Sequence, residues 1–378
     1  MKKEIILTED PYKELWNQFK QFQNFEVCLN YLKKNCKKFD NGKKFKPRAS
    51  LMKHYITQAK EYYHSARDSS VLTKPTLLYY GASCLVKALI IAKNCDQDYS
   101  TGHGIKVLKS NVDDMMNFRI KPVKGTFLQL YQVLENKNIT LIKSIDFNLE
   151  DLFSFIPELE DDFKNIFNKK SLAIKINRIK DEDGEYLFYE GDYFSDLSIL
   201  NDFINNIPNF DKYYFDPSFF SNSISCFKKP MPDGDIVLRN IMGEEFLVSS
   251  LQSGENSIYL SQISVHFLIL YLLSMLSRYY VNLWLGENSS DESRYFYIIE
   301  KFLDISERKF PNLILNEILD KEIIFSIEYY KPSGFDFDEI RGMVEEIVNE
   351  AIEENNSKEE KDEIKRRFMD DIYNGRDW

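Results

Sequence analysis

The sequence predicts a mainly α-helical (α+β) fold, a helical-bundle core carrying a small antiparallel β insertion. Three observations point there. Thr73–Lys93 is apolar on nearly every side of a 3.6-residue wheel, the mark of a helix buried over most of its surface, and residues 261–285 form a second long apolar helix. Amphipathic helical spacing recurs before, between and after them. Only residues 171–250 show short alternating runs separated by turn residues, the pattern of antiparallel strands. The expected organisation is therefore a basic helical region over 1–168, a β-rich insertion over 169–255, core helices over 256–335 packing on the first region, and a charged helical tail over 336–378.

In chain order, residues 10–35 read as a helix, with Leu15, Phe19, Phe22, Leu29 and Leu32 at helical spacing and Pro11 in the opening turn. Residues 50–70 are a second helix, with Leu51, Tyr55, Ala59, Tyr62 and Ala66 on one face. The apolar helix of Thr73–Lys93 follows, with Thr73 placed to cap it and Pro75 in its first turn, where a missing N–H costs nothing. By length it could pass for a membrane span, but Lys87 and the Tyr and Cys interruptions favour a protein core. Residues 126–135 and 147–168 are helical, the latter broken at Pro157. Leu172, Ile174 and Ile176 alternate with polar residues and pair with Tyr186–Tyr189 across Asp181-Glu182-Asp183-Gly184. A second hairpin joins Asp235–Leu238 to Glu245–Val248, and a short helix falls near 195–206. Beyond the second apolar helix come helices near 291–309 and 312–320, a strand at Ile323–Ile327, and the charged tail.

Composition bounds the function classes. Hydrophobic content of 43% and charge of 29% are those of a globular chain, and 378 residues bury a sizeable core. The five cysteines are odd in number and lack CxxC or Cys/His ligand spacing, which argues for reduced thiols, a cytoplasmic location and no zinc. The apolar run near the N-terminus is too short for a signal peptide, and no membrane partner is expected. There is no GxxxxGK[ST], GxGxxG after a strand, GxSxG or HExxH, so no metal and no cofactor is assigned.

Charge is unevenly spread. Residues 1–125 carry 23 Lys and Arg against 12 Asp and Glu, a net +11, and the remainder carry 26 against 48, a net −22. Such a split suits either an anionic partner for the first third or docking of the two parts on each other. The basic stretch Lys33–Arg48, with Lys37, Lys38, Lys43 and Lys44, has Phe39 and Phe45 among its lysines, a mixture that can hold a phosphate backbone and stack bases. It also reads as a solvated loop. Gly102-His103-Gly104 leaves His103 able to lie close to other backbone or to a ligand, or simply in a turn. Arg278 follows Leu272, Leu273, Met275 and Leu276 in an otherwise apolar helix. A guanidinium buried there without a carboxylate would cost several kcal/mol, so it either reaches an acid or lines a polar cleft. The functional alternative is an anion contact on which Arg67, Lys74, Tyr80 and His103 converge. Trp284 reads as packing at the end of that helix.

Several segments together resemble the YaaC-like family of bacterial proteins: Trp16 with Tyr31-Leu32, Gln58–Ile90, His103-Gly104, Gly125-Thr126-Phe127, Asp151–Leu159 and Leu272–Trp284. The resemblance runs from about residue 10 to about 320 and implies a fold and little chemistry. The helical segments also resemble HEPN-type domains, found in ribonucleases, in nucleotide-binding partners and in inert relatives. HEPN ribonucleases pair an Arg with a His four to six residues later. Arg48 and His54 have that spacing, although they fall where a loop becomes a helix, and chance supplies such a pair readily. The expected function is a binding or regulatory module for an anionic partner, nucleic acid or nucleotide. A metal-independent ribonuclease of a toxin or phage-defence system using Arg48, His54 or His103 is the alternative, so whether the chain is an enzyme stays open. A third reading is a scaffold that meets a protein partner through residues 336–378.

Overall fold

The computed structural model describes residues 2–36, 45–94, 100–108, 114–135, 139–181, 184–190, 214–215, 224–229, 238–251, 258–285 and 292–326. Lys37, Lys38, Lys43 and Lys44, the helix expected near 195–206 and the tail from 336 lie outside the described residues.

The chain begins with β1 (Lys2–Leu7), which the sequence reading did not anticipate. Where one helix was expected over 10–35 there are two, α1 (Pro11–Lys20) and α2 (Phe25–Asn35). Asn24 is the reason: its side chain accepts the N–H groups of Glu26 and Val27, which starts a new helix. Helix α3 spans Phe45–Arg67 and so begins earlier than the apolar spacing implied, with Pro47 harmless in its first turn. Next comes α4 (Lys74–Lys93), the expected apolar helix. By length and composition it could cross a membrane, and 78% of its apolar window is buried inside the protein.

Helices α3 and α4 make the most intimate pair in the fold. They approach at Gly81, where a Cβ would lie 2.6 Å from the Tyr63 ring, so only glycine fits. Strands β2 (Ile105–Val107) and β3 (Ile120–Pro122) form a small antiparallel pair ahead of α5 (Thr126–Leu134). The short helices α6 (Ile139–Ile142), α7 (Leu149–Phe153) and α8 (Glu160–Phe167) follow, with a 3₁₀ turn at Pro157–Leu159 where the proline break was expected.

The β insertion is antiparallel throughout: β4 (Ala173–Asp181), β5 (Gly184–Glu190), β6 (Tyr214–Phe215), β7 (Ile224–Lys229), β8 (Leu238–Arg239) and β9 (Glu245–Val248), in the order β6-β7-β5-β4-β9-β8. A hairpin forms at each expected turn, β4–β5 across Asp181↔Gly184 and β8–β9, but the partners of the first differ from expectation: Asn177–Ile179 pair with Tyr186–Phe188, whereas Ile174 and Ile176 pair with β9.

The second apolar segment is α9 (Gln262–Tyr279), then, after a break at Tyr280, α10 (Val281–Leu285). The two helices expected near 291–309 and 312–320 are one, α11 (Glu292–Leu319), with Pro311 inside it. Proline removes one helical hydrogen bond, but Phe310, Ile314, Leu315 and Ile318 are buried across it and hold the two halves in line. The last described strand, β10 (Lys321–Ser326), pairs in parallel with β1.

Helix α4 lies at the centre of the body, against α3, α9, α11 and α5. Helix α9 packs directly on it, with Tyr79 at 5.6 Å from Phe267 and 5.4 Å from Tyr271 between ring centroids. The two apolar helices, nearly two hundred residues apart in sequence, thus share one core. Cys28 and Cys84 are free thiols as expected. Cys36 departs from the expectation of reduced thiols and is disulfide-bonded.

Candidate functional site

The C-terminal end of α9 meets the first half of α4 where both become partly exposed. Thr76 Oγ1 and Ser277 Oγ lie 3.1 Å apart, fixing the two helices side by side. Arg278, one residue on, turns back along its own helix. Its Nε donates to the Ser274 carbonyl at 2.9 Å and one Nη to Ser274 Oγ at 3.2 Å. The other Nη donates to the Tyr80 hydroxyl at 2.7 Å. The guanidinium carbon stands 5.3 Å from the Tyr80 ring centroid and 4.9 Å from that of Tyr279, within cation–π range of both. Among the described residues no carboxylate reaches it. Of the two possibilities the sequence left for Arg278, the ion pair is not seen among the described residues; neutral groups hold the guanidinium at a partly exposed helix end.

His103 comes to the same region from the loop after α4. That loop is clamped to the start of α5 by backbone and side chains together: Thr126 Oγ1 donates to the Ser100 and Gly102 carbonyls, and Gln129 Oε1 accepts the Ser100 N–H. Gly104 (φ +78°) and Gly125 (φ +155°) lie back to back, and a Cβ on Gly125 would sit 2.4 Å from Gly104 Cα. The otherwise unpaired N–H groups of the first turn of α5 donate to the loop, Thr126 to the Gly102 carbonyl at 2.9 Å and Phe127 to that of His103 at 3.1 Å. Close backbone approach is what Gly104 serves; a Cβ on Gly102 would meet only Ser100 Oγ, at 4.0 Å.

The His103 ring lies against Tyr79 and Tyr271, and its Nδ1 shares a 2.5 Å hydrogen bond with the Tyr79 hydroxyl. Burial raises the pKa of Tyr79, so its hydroxyl keeps its proton. The pKa of His103 is lowered, first by burial of that edge and then by the positive charges of Lys87 and Arg278. His103 is therefore neutral at pH 7 and senses both cations.

Lys87 was noticed in the sequence only as an argument against a membrane span. Its Nζ stands 5.4 Å from the Tyr55 ring centroid, and no described carboxylate pairs with it. Tyr62, on α3, stacks on Tyr80 at 5.6 Å and 26°. Between them Cys84 Sγ donates to Gln58 Oε1 at 3.3 Å, and burial pushes the thiol up to about 11.

Other expected members do not join the site. Lys74 lies at a cleft of about 350 Å³ between the α3–α4 turn and α11, lined by Ser69, Ser70, Leu303 and Asp304. Its ammonium is engaged there by Asp304 at 2.7 Å and Glu307 at 2.9 Å, so it is neutralised within the fold. Arg67 is exposed and lies over the Tyr12 ring, 4.6 Å from its centroid. The expected convergence of Arg67 and Lys74 on Arg278 gives way to a site of Tyr80, His103 and Arg278, because the α3–α4 turn faces α1 and α11. Arg48 and His54 both lie within α3, a correction to their expected place at its beginning. Arg48 donates to the Asn94 carbonyl at the end of α4, whereas His54 is exposed. Trp284 is 1% exposed and packs on Phe296, as expected. No group of metal-binding side chains occurs among the described residues.

No curated protein and no solved structure matches the chain. The family model described as YaaC-like protein matches residues 20–318, and the chain accordingly belongs to the YaaC-like family.

Proposed function

We propose that the protein is a binding or regulatory module whose Arg278–Tyr80 corner takes a phosphate group of an anionic partner, a nucleic acid or a nucleotide. The observation that carries this reading is Arg278 itself, a partly exposed guanidinium at the end of an apolar helix, positioned by hydrogen bonds to neutral groups and left without a described carboxylate. An arginine held this way keeps its full charge and still has donor capacity for an anion. His103 lies near the same corner, its pKa lowered first by burial and then by the positive charges of Lys87 and Arg278. The net +11 of residues 1–125 gives the same sign over a longer range.

The test is equilibrium binding of labelled ATP and of labelled oligonucleotides at low salt, with the wild type and Arg278→Ala. Binding is expected to fall at least tenfold in the variant, and wild-type affinity is expected to fall steeply with added salt. Retention of both probes that is no better than in Arg278→Ala removes the reading. A variant with Lys37, Lys38, Lys43 and Lys44 neutralised measures the further contribution of the lysine cluster.

A further inference from the structure

Helices α3 and α4 run antiparallel, and three pairs of side chains face one another along one side of their seam: Tyr62 with Tyr80, Gln58 with Cys84, and Tyr55 with Lys87. The pairs advance together by four and then three residues, so they form a straight ladder on one face. Its length from Tyr80 to Lys87 is seven residues, about 10 Å at the helical rise. Arg278 closes one end through Tyr80, and Lys87 stands at the other. Every side chain of the ladder except Cys84 is partly exposed.

We infer that this ladder is a track for single-stranded nucleic acid. The inference rests on the anion-binding reading of Arg278 and names the ligand class. Two cations without a described carboxylate, about two helical turns apart, suit a chain with successive phosphates better than a mononucleotide carrying its charges at one place. Of the rings between them, Tyr80 is covered by Tyr62 and Arg278 and Tyr55 by Lys87, so the partly exposed Tyr62 is the ring on which a base would stack, and bases stack in this way only when unpaired and splayed from a duplex. Gln58 supplies the one amide between the rings. With so little base-edge chemistry, binding is expected to tolerate sequence.

The experiment is fluorescence anisotropy of the full chain with end-labelled twelve-nucleotide RNA and DNA of mixed sequence, single-stranded and as duplexes, with ATP as a competitor. Variants are Lys87→Ala, Lys87→Arg, Tyr62→Leu, Tyr62→Phe and Arg278→Ala, each checked for folding by thermal unfolding. The single strands are expected to bind at least tenfold tighter than the duplexes. Lys87→Ala should weaken single-strand binding about fivefold or more and reduce the slope of log affinity against log salt by about 0.7, with Lys87→Arg close to wild type. Tyr62→Leu should weaken it about tenfold, and Tyr62→Phe should retain it. Equal affinity for duplex and single strand, or wild-type behaviour of Lys87→Ala, overturns the track. If Arg278→Ala weakens binding in that case, the corner survives as an anion site without the ladder; if Arg278→Ala is also silent, both readings fall. The RNA and DNA arms decide which sugar is preferred.

Discussion

His266 has no exposure and lies between α9 and α11, its Nδ1 3.0 Å from Ser306 Oγ and its ring against Phe302. Burial holds its pKa well below the usual imidazole value, with the nearby Lys309 ammonium adding to the effect. The native state therefore resists a proton that the unfolded chain accepts near pH 6.5. Its contribution to stability is present above pH 6.5 and is lost as the pH falls below it. Denaturant titrations between pH 7.5 and 5 should show wild-type stability falling toward acid more steeply than that of His266→Leu. The difference should approach the one-proton slope, about 1.4 kcal/mol per pH unit. Parallel curves for the two proteins would locate the acid sensitivity elsewhere. The sequence shows that His266 lies in an apolar helix, but not Ser306 or Lys309, which come from a helix forty residues on. The candidate site divides in the same way. Arg278 was legible because a charge in an apolar run demands a partner or a cleft. Lys87 was not, because its neighbours belong to α3 and the register between α3 and α4 is set by Gly81 and the Tyr63 ring rather than by any local pattern.

At the scale of elements, one buried ion pair joins the β insertion to the helices. Lys309 on α11 and Glu158 in the 3₁₀ turn are each 5% exposed in their side chains, with Nζ at 2.7 and 2.9 Å from the two carboxylate oxygens. The same carboxylate accepts the Ile241 N–H from the turn between β8 and β9. Three elements therefore share one satisfied charge pair. Lys309→Met leaves Glu158 buried and unpaired and should cost about 3–5 kcal/mol, read as a drop in the denaturation midpoint. Adding Glu158→Leu removes the stranded charge and should recover much of the loss. A single variant as stable as wild type would mean that water or another cation reaches Glu158. Helix α3 was readable from its periodicity, and α4 and α9 from long apolar runs of buried-helix length. The joins were less so. Asn24 splits α1 from α2 by capping, which apolar spacing ignores, while Pro311 fails to split α11 because buried residues on both sides outweigh one lost hydrogen bond. Strand β1 is mostly exposed and lacks strict alternation, so its only mark is a partner strand more than three hundred residues later.

That partnership matters to the whole molecule. β1 and β10 run parallel in a six-residue register from Lys2↔Lys321 to Leu7↔Ser326. A two-stranded sheet is marginal alone, and parallel pairs are normally covered, so this one depends on what lies beneath it. Its support is the end of α11: Asn312 donates to the Ile323 carbonyl at 3.0 Å, Arg308 to that of Phe325 at 3.0 Å, and Ile323 N–H to Asn316 Oδ1 at 3.0 Å. The same corner receives the Tyr31 hydroxyl on the Ile318 carbonyl and the Arg239 guanidinium on Glu322. The start of the chain, α2, the β insertion and the last described helix thus meet at one place, and β1 closes it from outside. Deleting residues 2–7 should lower the melting temperature by several degrees and speed amide exchange in β10 and the last turns of α11 first, because those groups lose their cover while α4 and α9 keep theirs. Ile6→Asp, a charge placed half-buried opposite Phe325, should act in the same direction with less effect. Loss of protection spread evenly over α4 and α9 would mean that the corner is not a separable unit but part of the central core. Unchanged melting and exchange in both variants would mean that β10 is held by α11 alone and that β1 contributes nothing to closing the fold.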